Sequence, residues 1–136
     1  MAIAALVTWL VTAVLGITML TMWASKGGLQ AARGGTEQTS GFPPGLVFGH
    51  PLLAVAGLIL WIVYLVTDTE VLTWVAFVVL IVIAILGELL FMRWRRGLGS
   101  SAVESGLPKP VVYTHGLFAV ATIVLVLLAA LGVGES

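Results

Sequence analysis

Cysteine is absent from the 136 residues, and with it go disulfides, thiolate metal sites, iron–sulfur clusters and covalent c-type haem attachment. Charge is scarce: Asp, Glu, Lys and Arg make up 9% of the chain, six basic residues against six acidic, so no basic field points to nucleic acid as a partner. Histidine occurs only twice. A metal or cofactor would have to hang on His, carboxylate, Met or backbone. Met19, Met22 and Met92 have no spacing that suggests a copper path. Neither a nucleophile–base constellation nor a phosphate loop appears, so an electron carrier or a subunit fits better than a stand-alone enzyme. The N-terminal Met1-Ala-Ile-Ala-Ala-Leu6 lacks a basic region and reads as a first span rather than a cleaved signal peptide.

What is present is apolar. Hydrophobic residues are 60% of the chain and mean hydropathy is +1.17, far from the composition of a soluble domain. Four stretches, about 2–23, 45–66, 71–92 and 111–133, reach the roughly 20 apolar residues that cross a bilayer core. They are apolar all round rather than alternating, which selects helices over a barrel. The expected fold is an all-α membrane protein, a four-transmembrane-helix bundle forming one domain over 1–136. All six Lys and Arg fall in two connections: Lys26 and Arg33 in the first, Arg93, Arg95, Arg96 and Lys109 in the third. The second connection, Thr67-Asp68-Thr69-Glu70, is acidic. The positive-inside rule then gives an N-out/C-out chain, multi-pass in a cell inner (plasma) membrane. The first connection, 25–44, is rich in Gly, Ser, Thr and Gln and reads as flexible; both basic loops suit contact with anionic lipid or with a cytoplasmic partner.

One segment is written twice. At a spacing of 65 (115 − 50), Ser40/Ser105, Gly41/Gly106, Pro43/Pro108, Val47/Val112, His50/His115, Leu52/Leu117, Ala54/Ala119, Val55/Val120, Ala56/Ala121 and Leu60/Leu125 are identical, and Phe48/Tyr113 keeps an aromatic ring. The same spacing pairs helices one and three through Thr8/Thr73, Trp9/Trp74, Val14/Val79 and Leu15/Leu80. The repeat unit is a helical hairpin, repeat one about 1–66 and repeat two about 67–133. An even number of spans per unit makes the copies parallel, related by a pseudo-twofold along the membrane normal. Trp9 and Trp74 are placed at the headgroup level near the outer helix ends. Dimerisation of two chains through faces carrying Gly16, Gly57 or Gly87 is a further expectation.

The two histidines are repeat partners. Pro43-Pro44 and Pro108-Lys-Pro110 suit the starts of their helices, placing each His one to two turns inside, near the cytoplasmic face. Pro51 after His50 predicts a local bend. Four and seven residues on lie Ala54 and Gly57 in one copy, Ala119 and Thr122 in the other: a flat slot for a planar group, or a surface for close helix packing. Two imidazoles facing each other above such slots are what bis-His haem b needs, and the positive helix N-terminus favours the neutral, coordinating ring. Arg93, Arg95, Arg96 and Lys109 are then partners for haem propionates. Glu88, the one carboxylate within a span, reads either as an acceptor for a histidine N–H or a third ligand beside the pair, or as an interfacial partner of Arg93 or Arg95. Trp61 and Tyr64 continue the His50 face outward as packing or as a pocket wall. Equally open is a structural pair, copied by duplication, whose imidazoles hydrogen-bond neighbouring helices.

The four spans with His50 and His115 on helices two and four resemble small membrane b-type cytochromes of the b561 kind, which hold haem between histidines of neighbouring helices. That resemblance covers architecture and the histidines only; those families carry two His pairs, whereas one pair here implies a single haem. The Ala/Val/Leu-rich style also resembles small membrane proteins of high-GC bacteria. Three functions follow as expectations. The first is a haem b electron carrier, or haem-bearing anchor of a redox complex, with a redox partner. The second is a non-catalytic subunit or scaffold of a larger membrane complex. The third is a small proton-coupled transporter using Glu88 and the histidines, against which stands the clustering of polar residues near one face.

Overall fold

A computed structural model describes residues 1–34, 40–100 and 102–134. The chain is helical, with no strand among the described residues: α1 (Ala2–Ser25), α2 (Gly28–Ala32), α3 (Pro44–Thr67), α4 (Val71–Gly97), a 3-10 turn (Val103–Gly106) and α5 (Lys109–Ala130). α1, α3, α4 and α5 are each long and apolar enough to cross a membrane, within a few residues of the stretches expected from composition. Proline at the first turns of α3 and α5 forfeits only N–H groups that have no intrahelical acceptor. α3 continues through Pro51, whose missing N–H leaves the Val47 carbonyl without its helical donor. Asp68, in the left-handed region at φ 55°, ends α3, and its N–H donates to the Tyr64 carbonyl at 2.8 Å.

α1 packs against α5 and α3, and α4 against α3 and α5, so the bundle's diagonals are α1/α4 and α3/α5. Its outside is as apolar as its inside. Ile3, Val14, Leu52, Ile59, Ile85, Leu117 and Val124 are exposed, as lipid-facing residues must be. With no hydrophobic drive between helices in lipid, close packing holds the bundle, and small residues occupy the contacts: Ala5 and Ala76 are fully buried. Two core clusters result. One, at the end bearing the N-terminus and the 68–70 turn, contains Trp9, Trp61, Ala76, Leu80 and Val126; Trp61 Nε1 donates to the Ala2 carbonyl at 3.1 Å. The other lies under the basic connections and contains Trp23, Phe42, Val47, Trp94, Val103 and Val112.

Two sequence expectations change here. Trp9 is 3% exposed and turns inward onto Gly57, where a Cβ would stand 2.9 Å from its Cζ2, so it is a core residue; Trp74 is the exposed member of that pair. The first connection is structured over part of its length: α2 lies against Trp23, and Gly28 is buried beneath the indole; residues 35–39 lie outside the described residues. Gly16, Gly57 and Gly87 all face neighbours within the bundle: His115, Trp9 with Val79, and His50.

At Gly28 a Cβ would come within 2.3 Å of the Trp23 ring. Gly28→Ala is therefore expected to displace α2 or the indole at a cost of about 1–3 kcal/mol, read as a lower thermal midpoint in detergent by circular dichroism. An unchanged midpoint would show that α2 does not seat on Trp23.

Candidate functional site

α3 and α5 bring His50 and His115 together between the two core clusters, with ring centroids 6.2 Å apart and planes at 71°. Each ring is half-buried and held by a backbone carbonyl of the helix beside it. His50 Nδ1 lies 2.9 Å from the Ile83 oxygen of α4, and His115 Nδ1 lies 2.9 Å from the Thr12 oxygen of α1. A carbonyl only accepts, so Nδ1 carries the proton in each neutral ring and Nε2 keeps its lone pair. No hydrogen bond among the described residues reaches either Nε2, and neither is among the sealed side-chain atoms left without a partner. A backbone acceptor at one nitrogen and a free lone pair at the other is how a protein prepares an imidazole for a metal.

Glycine lets the rings reach those carbonyls. A helical side chain leans over the preceding turn, so the residue four after a carbonyl covers it. Those residues are Gly16 after Thr12 and Gly87 after Ile83; a Cβ there would stand 3.1 Å from His115 Cε1 and 2.9 Å from His50 Cε1. The sequence reading missed both as part of the site.

The two seats match contact for contact, at a spacing that differs from the expected one. On α3 and α5 it is 65, but on α1 and α4 it is 71 (83 − 12 and 87 − 16). The same 71 relates Trp23 to Trp94; their rings lie edge-on to Phe48 and Tyr113, at 6.4 and 5.8 Å. It also relates Thr8, bonded at 3.0 Å by the Thr122 hydroxyl, to Val79, which packs at Gly57. Thus Trp23 matches Trp94, and matched positions on α1 and α3 lie six residues (71 − 65) further apart along the chain than those on α4 and α5.

The expected slot is occupied. Gly57 is filled by Trp9 and Val79, and Thr122, 1% exposed, donates to the Phe118 carbonyl at 2.7 Å with its oxygen 3.0 Å from the Thr8 hydroxyl; Ala54 and Ala119 are half-buried beside them. Glu88 is exposed and bonds neither imidazole; carbonyls take the acceptor role suggested for it. Among the described residues no group of three His, Cys, Asp or Glu assembles, so the pair offers two ligand positions. The rings meet edge to face, and their 6.2 Å centroid separation lies in the ordinary range for packed rings. Away from the pair, a cavity of about 870 Å³ at the other end is lined by Asp68, Glu70, Thr73 and Trp74 and touches neither histidine.

The basic end is tied down. Lys26 Nζ donates to the Gly106 carbonyl at 3.1 Å and Arg93 to the Gly41 carbonyl at 3.0 Å, clamping the segments that lead into α5 and α3. Glu104, only 1% exposed, accepts from Ser40 Oγ and the Gly41 N–H. Beneath these contacts Trp23 Nε1 and Trp94 Nε1 are buried without an acceptor, a condition costing about 1–3 kcal/mol each. Comparison with known proteins gave no matching family model, no matching curated protein and no matching solved structure.

Proposed function

We propose that this chain is an integral membrane electron carrier, or the haem-bearing anchor of a redox complex, holding haem b between His50 and His115. The observation that carries the reading is the imidazole pair itself: 6.2 Å between centroids, on diagonal helices, each Nδ1 tied to a carbonyl. An iron that brings its own equatorial nitrogens needs two further ligands, whereas a bare zinc or copper site asks for three or more. Trp9, Val79 and Thr8 fill the side of the pair toward the N-terminal end, so a macrocycle would have to part the residues of the Trp23/Trp94 cluster to enter.

Haem, when bound, supplies a one-electron iron couple. The chain's residues do the rest: Thr12 and Ile83 fix the ring orientations and increase imidazole basicity, and the apolar clusters on either side limit water. Tandem parallel hairpins belong to this reading and are supported by the matched seats. So does an N-out/C-out course through a bacterial plasma membrane, supported by the exposed Lys26, Arg33, Arg93, Arg95, Arg96 and Lys109 at one end and Asp68 and Glu70 at the other. Its partners are lipid and a redox protein.

A second reading, a non-catalytic subunit, draws on the same hydrogen bonds: each imidazole staples one helix pair, α3 to α4 and α5 to α1. The absorption spectrum of protein purified from haem-supplemented cells separates the two. The haem reading expects a Soret band that sharpens on dithionite reduction, with resolved α and β bands. A colourless protein, empty also by metal analysis, rejects it in favour of the subunit.

A further inference from the structure

We infer that the face of α4 and α5 at the basic end is a docking surface for an anionic phospholipid, its headgroup phosphate held by Arg95 and Lys109 beside Tyr113. The inference does not rest on the haem reading and stands whatever the imidazole pair holds. It starts from a difference between the two halves. Their interiors match, but their outer faces at this level do not. At the spacings that relate the two seats, 71 for α1 and α4 and 65 for α3 and α5, Arg95 corresponds to Ala24, Arg96 to Ser25, Lys109 to Pro44 and Tyr113 to Phe48. One face thus carries three cations and a phenol where its counterpart has none of them. Orientation in a membrane asks for basic connections. It does not ask for this clustering, since Lys26 and Arg33 already mark the first connection.

The side chains converge. Arg95 holds its guanidinium 5.8 Å over the Phe91 ring, Phe91 meets Tyr113 edge-on at 5.8 Å, and Lys109 lies one turn before Tyr113 on the same side of α5. Tyr113 is 52% exposed, an amphipathic ring at the depth of the headgroups. Arg95 and Arg96 border a surface hollow of about 340 Å³ with Met92, and exposed Leu89 and Leu117 continue the apolar surface into the bilayer. The cations on this face have no negative charge beside them. Arg93 and Lys26 donate to the Gly41 and Gly106 carbonyls, whereas Arg96 and Lys109 are exposed and Arg95 meets a ring. Glu104 is turned inward to Ser40 and Gly41, and Glu88 stands two turns before Arg95, about 10 Å deeper along α4. A phosphodiester supplies the missing charge, and a guanidinium binds it through two parallel hydrogen bonds. Its chains then lie on the apolar surface below, which an acidic protein outside the membrane would leave unused.

The test titrates the full chain in detergent with pyrene-labelled phosphatidylglycerol, read as energy transfer from tryptophan, with pyrene-labelled phosphatidylcholine in parallel. Phosphatidylglycerol is expected to bind more tightly. Arg95→Gln and Lys109→Gln are each expected to weaken it about five-fold, and together roughly thirty-fold, without changing phosphatidylcholine. Arg33→Gln removes the same charge at the same end, past α2 and off this face, and is expected to change neither lipid. Inorganic phosphate is expected to displace no more phosphatidylglycerol than sodium chloride of equal ionic strength. Equal binding of the two lipids by the wild type would overturn the inference, leaving an apolar surface without a phosphate seat. An equal loss in Arg33→Gln would overturn it by showing a diffuse field, and displacement by inorganic phosphate by making the ligand a free anion. Wild-type affinity in the double variant would do the same and leave the face to a different partner.

Discussion

His115→Ala is expected to abolish the Soret band while costing little stability, and His50→Ala to do the same. The hydrogen bond lost in each case runs from an imidazole to a carbonyl of the neighbouring helix. Interhelical bonds of this kind in membranes average about 0.6 kcal/mol and rarely exceed about 1.7, so a staple alone moves the melting temperature by a few degrees and has no colour to lose. A ligand role makes the spectrum collapse, because one remaining imidazole cannot hold a six-coordinate low-spin iron. Free imidazole added to either single variant is expected to restore part of the low-spin spectrum by entering the space the side chain left. Variants that keep the wild-type spectrum would place the haem elsewhere and return the pair to its structural role.

Much of this was legible in the sequence. Four apolar runs gave four helices, because in lipid every backbone group must be satisfied within its own segment, which leaves little room for tertiary override. The histidine pairing was legible from the near-identical segments around residues 50 and 115. The facing helices were harder. The strongest identities at a spacing of 65, Trp9/Trp74 and Thr8/Thr73, match residues in unlike surroundings: Trp9 is buried on Gly57 and Trp74 is exposed. The contacts instead follow 71, where Ala13-Val-Leu-Gly16 lies opposite Ala84-Ile-Leu-Gly87 and Trp23 opposite Trp94. A loop of different length shifts one helix's alignment without disturbing the other's, and a single spacing cannot describe both. The slot read from Ala54, Gly57, Ala119 and Thr122 failed for a related reason. Small residues invite a neighbour, and periodicity does not say whether the neighbour is a cofactor or, as for Gly57 and Thr122, Trp9 and Thr8.

Gly87→Ala is expected to damage the site more than Gly16→Ala, and Gly49→Ala to do the opposite of both. In a helix interior alanine is favoured over glycine by about 1 kcal/mol, and that gain is realised at Gly49, where an added Cβ meets nothing within 4 Å. At Gly87 the Cβ would lie 2.9 Å from His50 Cε1, closer than real Cβ contacts come; at Gly16 the corresponding 3.1 Å to His115 Cε1 is tight but can be relieved by a small shift. The ring cannot slide away freely, because its Nδ1 is bonded to a carbonyl one turn earlier on the same helix. Relief at Gly87 must therefore come from breaking the Ile83 bond or prying α3 from α4, and either frees Nδ1 and turns Nε2 from its direction. Expected for Gly87→Ala are a lower melting temperature and a Soret band reduced or shifted toward mixed spin. Gly16→Ala should give a milder form of both, and Gly49→Ala a raised melting temperature with the wild-type spectrum. Equal behaviour of the three variants would mean that the glycines are not what seats the histidines. A leucine at Gly87 sharpens the contrast: its volume falls where the imidazole stands, so the helices persist while the histidine is excluded, and colour is lost without loss of helicity.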